Sequence, residues 1–475
     1  MTNKNKLYWV WLSLLCQSAS RRAVNLIRYF EDAKGVFKAD ESELEKCGII
    51  KKSDALFSEI LKHDTDDAES IVSWCNKAGV DIITPDDKNY PSNLYSLRDA
   101  PLTLYCVGEL PDLDANCSVA VVGSRNMTDY GAVNAFRFGY GLARAGAIVV
   151  SGLALGIDSM AMASALAGGG ATVGVLGCGI DVVYPKEHEK LFKAVAKSGA
   201  VITEYPPGSR PKRNSFPQRN RIISALSQGT LVIEAASDSG SLITARHAVY
   251  QGKDLFALPG SVGREMSEGT NFLIKEGAFA VTRPADILER YEYVYPHTLD
   301  LSYVRTEFKE IDFERSAERV RLMYGVTTDK ERSDVYSKRS APRSLDEPPV
   351  VFIGEDSGRY DNKTFDFDDT YKKPDVLPAK SRADAKKSKP GFADAPSEPK
   401  RIDFELLSEK DLKIYNSMIP DTPMIPEELI SDDITIADVM ASMTMLEVSG
   451  AIEAGAGGYF MRTSADDITL PDEEI

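Results

Sequence analysis

The chain is expected to be an α/β protein. The reading is an extended Rossmann-like, doubly wound, mostly parallel sheet, with a small helical domain before it and a winged-helix-like domain after it. Three observations predict this. From Val119 to Tyr291, short apolar runs alternate with helical stretches, the signature of parallel strands linked by crossover helices. Several of those runs end in glycine- or serine-rich turns that open a helix. On either side of that stretch the strand signal fades and helical spacing takes over.

Taken in order, residues 1–75 read as a helical unit of the SAM or helix-hairpin-helix kind, with Tyr8–Leu15, Arg21–Phe30, Ser42–Cys47 and Asp54–Leu61 set between turn formers. Residues 76–299 hold a connector and the Rossmann-like domain. In the connector, Asp87–Pro91 and Asp99–Pro101 are turns and Leu102–Val107 is a strand. The expected strands are Val119–Val122, Ala147–Val150, Thr172–Leu176, Ala200–Thr203, Thr230–Ala235, Asp254–Ala257 and Phe279–Val281. Helices open near Tyr130, Asp158, Lys186, Pro217, Leu242, Asn271 and Pro284, the two prolines suiting first-turn positions. Residues 300–401 read as a largely disordered linker, because Ser340–Lys400 is rich in Pro, Lys, Asp and Ser and has little to bury. Residues 402–467 offer Leu412–Ile419, Pro426–Ile430 and Ile436–Ser449 as helices, then Ala451–Ala454 and Tyr459–Arg462 as a hairpin. Three helices and a hairpin suggest a winged helix.

Composition narrows the function. The apolar run Leu7–Cys16 is too short to span a bilayer and lacks a cleavage pattern, so it reads as a buried helix. The six cysteines show no paired short spacing and no neighbouring histidine, which argues against a metal site and fits a reducing, cytoplasmic setting. No cofactor and no membrane association are expected. A net charge of −16 argues against a polyanionic partner. Charge is screened within roughly 10 Å, however, and the segment from Tyr205 to Arg221 carries Arg210, Lys212, Arg213, Arg219 and Arg221 with no acid of its own.

The turns themselves carry the chemistry. Gly123-Ser124-Arg125 joins a permissive turn to a hydroxyl and a bidentate guanidinium, although a loop arginine is more often only solvated. Ser151-Gly152 opens a tight loop that ends at Asp158, read as a simple helix cap. Lys186 stands at the first turn of a helix, against the dipole, which suits a nearby anion as well as plain solvation. Phe216-Pro217-Gln218-Arg219-Asn220-Arg221 sets donors at a helix start behind an aromatic, the combination used on single strands. The alternative there is an ion-paired helix start with Phe216 in the core, a pairing that the segment alone does not supply. Ser239-Gly240-Ser241 offers hydroxyls and amides to an anion, or merely caps a helix. In a parallel sheet these turns gather at one edge, so Gly123, Ser124, Arg125, Gly152, Lys186, Lys212, Phe216, Arg219, Asn220, Arg221, Ser239, Gly240 and Ser241 are the candidate site. The four histidines are dispersed, and no nucleophile–base pair marks a catalytic centre.

These blocks resemble, in this order, the DNA-processing protein A (DprA, also called Smf) family. The blocks are Gly123-Ser124-Arg125 with Thr128, Tyr130 and Gly131, then Ser151–Asp158, Gly177–Asp181 with Tyr184-Pro185, and Glu204–Gly208. Phe216–Ile223, Ser239–Ala245 and Ala257–Gly260 complete the set. The resemblance covers roughly residues 7–291 and, more loosely, 402–462. It implies a non-enzymatic, homodimeric recombination mediator. Such a protein would bind single-stranded DNA in a basic pocket, protect incoming strands in natural transformation and load RecA recombinase. Arg125, the Lys186 region, Arg219 and Arg221 match the family's DNA-contacting positions, whereas Lys212 and Phe216 rest on local chemistry. The stretch Cys16–Ser20 lacks the glycine of the family's N-terminal hairpin, and His188 stands where asparagine is frequent. In 402–467 acidic residues far outnumber Lys410, Lys413 and Arg462, which repels phosphate and suits a protein partner. The competing reading is a phosphoribohydrolase-like enzyme on the same scaffold. It would want a Pro-Gly-Gly-x-Gly-Thr turn and a glutamate, where this chain has Ser239–Thr244 and Pro259-Gly260-Ser261.

Overall fold

Helical spacing of apolar residues shapes the N-terminal region into α1 (Asn3–Cys16), α2 (Arg21–Phe30), α3 (Ala33–Lys38), α4 (Glu41–Cys47), α5 (Ala55–Lys62) and α6 (Asp66–Ala78). Side-chain caps set several starts. Ser20 Oγ accepts from the Ala23 amide at 3.3 Å, Asp32 accepts from Gly35 at 2.6 Å, and Asp40 and Glu43 form a reciprocal capping box. Trp9, Val10, Trp11 and Leu12 are buried, so the apolar run of α1 serves a core. Among the described residues no helix is long and apolar enough to cross a membrane. The computed structural model describes residues 3–17, 20–306, 311–327, 409–418, 451–455 and 459–462, with single positions at 439, 442 and 446. The chain divides into two units, Met1–Ala393 and Asp394–Ile475.

The remaining elements of the first unit's sheet layers follow in order: β1 (Asp81–Ile83), β2 (Leu104–Gly108), β3 (Ser118–Val122), α7 (Asp129–Arg144), β4 (Ile148–Ser151), α8 (Ile157–Ala167), β5 (Thr172–Val175), α9 (Glu189–Ser198), β6 (Ala200–Thr203), α10 (Ser215–Ala225), β7 (Gly229–Val232), α11 (Ser241–Tyr250), β8 (Asp254–Ala257), α12 (Glu265–Lys275), β9 (Phe279–Ala280) and α13 (Pro284–Leu288). The sheet runs β1-β2-β6-β5-β4-β3-β7-β8-β9. Strand β2 is antiparallel to β1 and β6, and every other pairing is parallel. Both faces of the central strands are covered, which is why their sequences are apolar throughout. Val119 and Val121 join the core under α7, α8 and α9, while Ala120 and Val122 join the core under α10 and α11. Helices α7 and α8 cross so closely that a Cβ at Gly139 would strike the Ala161 carbonyl oxygen.

The structure departs from the sequence reading in a few places. Helix α12 opens at Glu265, ahead of the expected Asn271, because Glu265 and Glu268 favour its first turn while its apolar signal comes only at Phe272–Ile274. Two further helices, α14 (Ser302–Thr306) and α15 (Phe313–Tyr324), occupy the start of the segment read as linker. Asp312 caps α15 by accepting from the Arg315 amide at 3.1 Å, and Ser316, Ala317 and Val320 are buried where α15 packs on α7 and α8. Ser340–Lys400 lies outside the described residues. In the second unit, α16 (Glu409–Ser417) and a hairpin of β10 (Ile452–Gly455) with β11 (Tyr459–Arg462) are described. The winged-helix arrangement and the helices expected over Pro426–Ile430 and Ile436–Ser449 lie outside the described residues, apart from Val439, Ser442 and Leu446.

Candidate nucleic-acid interface

Strands β5, β4, β3 and β7 lie side by side and parallel, so the turns after them share one edge of the sheet. The winding order reverses between β3 and β7, the place where open α/β sheets form their ligand crevice. Backbone bonds lace the turns together. The Ser124 amide donates to the Glu234 carbonyl at 2.7 Å, and the Ile157 amide donates to the Ser124 carbonyl at 3.1 Å. Gly156 sits at φ 80° against the Ser124 and Arg125 carbonyls, where a side chain has neither the conformation nor the room. Thr128 caps α7, and the Glu234 carboxylate receives its amide at 3.0 Å and its hydroxyl at 2.5 Å.

The start of α10 reaches over the rest. Ser215 Oγ donates to the Gly177 carbonyl at 2.5 Å, Arg219 Nη1 donates to the carbonyls of Gly152, at 2.8 Å, and Val175, and Asn220 Nδ2 donates to Gly240 at 3.4 Å. The turns holding Gly123–Arg125, Gly152, Gly177 and Ser239–Ser241 therefore converge on one helix terminus. Ser239 and Ser241 hold each other, with their hydroxyls 2.8 Å apart.

An aromatic and cationic ladder stands at this rim. The Arg125 guanidinium, on an exposed side chain, lies 5.4 Å from the centre of the half-buried Phe216 ring. The Tyr184 ring, 48% exposed, lies 5.5 Å from the same ring at a tilt of 37°. Phe216 is seated against Gly177, where a Cβ would come within 2.9 Å of the ring. Lys186, two residues beyond Tyr184, and Lys212, just before α10, are both exposed.

Two of the expected site arginines do not face solvent. Arg221, 3% exposed, binds both oxygens of the equally buried Glu204 at 2.8 and 3.1 Å, and reaches Asp99 Oδ2 at 3.0 Å. The pairing judged absent from the local segment is thus supplied by acids from outside it, and Arg221 is a core ion pair. Arg219 is also 3% exposed, spanning the β4 and β5 turns from behind. Its counter-charge is Asp158, which is not the cap of α8: that position is Gly156. The Asp158 carboxylate accepts from the Gly152 amide at 3.1 Å. Burial pushes its pKa up, while Arg219 and then Arg125 pull it back. Burial likewise lowers Arg219 to about 10 against the pull of Asp158. Sequence reasoning missed Tyr184 as a site residue and both counter-ions, Asp158 and Glu204.

His247, half-buried on α11 beneath the start of α10, is held neutral. Burial lowers its pKa to about 4, with Asp99 opposing that shift. The unfolded chain therefore binds more protons between about pH 4 and the ordinary histidine value near 6.5. This contribution to stability is whole above about pH 6.5 and is lost as pH falls towards 4. Thermal unfolding across that range should show a steeper acid loss in the wild type than in His247→Gln.

A doubly wound sheet whose glycine turns, buried ion pairs and aromatic–guanidinium ladder meet at its C-terminal edge defines a Rossmann-like protein with a candidate binding rim. Comparison with known proteins places it further. The family described as DNA recombination-mediator protein A matches residues 81–292. Protein Smf of Escherichia coli K12 is 38% identical over 285 residues, which is 60% of this chain and 75% of that protein. DNA processing protein DprA of Streptococcus pneumoniae R6 is 44% identical over 207 residues, 44% of this chain and 73% of that protein. The X-ray structure of DNA processing protein A from Streptococcus pneumoniae is similar at a TM-score of 0.53, with 35% identity over 61% of this chain and 98% of that one. The chain belongs to the DNA recombination-mediator protein A family.

Proposed function

We propose that the rim binds single-stranded DNA and that the chain acts as a recombination mediator without catalysing a reaction of its own. The observation that carries this is the Tyr184–Phe216–Arg125 ladder, in which the half-buried Phe216 ring is flanked by two exposed side chains. Unpaired bases stack on aromatic faces, and the adjacent guanidinium and the ammonium groups of Lys186 and Lys212 meet the phosphates, a scheme indifferent to base identity. Gly123, Ser124, Gly152, Asn220, Ser239, Gly240 and Ser241 shape the turns beneath the strand, and Arg219 props them from below. Loading of RecA recombinase, homodimer formation through the Rossmann-like domain and a cytoplasmic site of action extend this reading from the family resemblance. The phosphoribohydrolase alternative gains no support at the rim, since the Glu234 and Asp158 carboxylates are buried and engaged by Thr128 and Gly152.

Binding of a labelled oligothymidylate at rising salt tests the proposal. The wild type should lose affinity with a log–log slope of about −0.7 for each neutralised phosphate, and Arg125→Ala should be shallower by about one such unit. Salt-insensitive binding, or unchanged affinity in Arg125→Ala, would overturn it.

A further inference from the structure

A cleft of about 300 Å³ opens beside the rim, where α1 and α2 meet the loop between β6 and α10. Its size falls at the lower end of small-ligand pockets, roughly 300–1,000 Å³. Leu14 and Leu102 give it apolar walls, and Tyr205, Lys212, Asn214 and Gln218 give it polar ones. The Tyr205 hydroxyl stands 3.1 Å from Gln218 Oε1 and 3.2 Å from the Ser215 carbonyl, which holds its ring in place as a wall. Glu204 also borders the cleft, but its two oxygens are taken by Arg221. What remains is a largely apolar slot edged by the carboxamides of Gln17, Asn214 and Gln218 and by the exposed ammonium of Lys212. Carboxamides pair with the donor–acceptor edges of nucleobases, and unstacked bases are read on those edges. Phe216 lies between Asn214 and Gln218 in the chain, so the slot and the stacking ladder share one helix start.

We propose that this cleft holds one nucleobase of the bound strand, next to the base stacked on Phe216. The inference rests on the single-strand reading of the rim, and it gives α1 and α2 a part in DNA binding. An oligothymidylate carrying 5-iodouracil, irradiated on the full chain and mapped by mass spectrometry, should crosslink to Tyr205. Asn214→Trp fills the slot from an exposed position that makes no side-chain cap bond. It should abolish that crosslink and weaken binding about 5-fold or more, with an unchanged melting temperature. Gln218→Leu, also exposed, should weaken binding in the same direction and serves if the tryptophan variant melts early. The assignment fails if both variants bind like the wild type and Tyr205 stays unlabelled while Arg125→Ala still weakens binding, a result that leaves the rim reading standing. No oligonucleotide binding by the wild type would sink both. Labelling of Tyr205 by free 5-iododeoxyuridine monophosphate that excess oligonucleotide fails to compete would assign the slot to a free nucleotide and overturn the strand assignment.

Discussion

Replacing Arg221 with alanine is expected to destabilise the first unit by about 3–5 kcal/mol, the cost of leaving a buried carboxylate without its partner. Glu204 is as buried as Arg221, and in the variant both of its oxygens lose a guanidinium donor. Asp99 is less affected because its side chain keeps 28% of its exposure and stays hydrated. In a calorimetric scan the loss should read as a fall in Tm of roughly 4–8 °C, since a unit running from Met1 to Ala393 has a large unfolding entropy. The double variant Arg221→Met with Glu204→Leu should recover part of it, since removing both charges also removes their desolvation cost. Below its melting temperature Arg221→Ala should show the wild-type salt slope, because this guanidinium meets no phosphate. A variant with unchanged Tm and a shallower slope would return Arg221 to the DNA surface.

This residue also marks how far sequence reasoning reaches. Strands β6 and β8 were legible to the residue, because burial on both faces demands an uninterrupted apolar run. Strand β1 and helices α3 and α6 were not, being short or polar, with tertiary packing in place of local signal. The glycine turns were legible as a set, since a parallel sheet must bring them to one edge. The fate of the charges was not. Arg219 and Arg221 stand two apart on α10, and residues at that spacing face different ways, so they could not share one surface. Arg219 accordingly runs to the β4 and β5 turns, while Arg221 runs to Glu204 at the end of β6 and to Asp99, 122 positions away in the chain. Periodicity could have flagged the first fact. Only the fold supplies the second.

Removing the Phe216 ring should have the largest effect on binding. Stacking on an aromatic contributes about 1–3 kcal/mol per base, so Phe216→Ala should weaken an oligothymidylate roughly 5- to 150-fold. The salt slope should stay at the wild-type value, because the ring neutralises no phosphate. That combination separates Phe216 from Arg125, whose loss should change the slope. Phe216→Trp should keep most of the affinity, as it preserves a flat face over Gly177. The two residues also touch, with the Arg125 guanidinium 5.4 Å from the ring centre, so their effects should not add. A double-mutant cycle in filter binding should return a coupling of about 0.5–1 kcal/mol, the size of an exposed cation–π contact. Phe216→Ala retaining full affinity at an unchanged melting temperature would show that no base rests there, and the ladder would then be only packing.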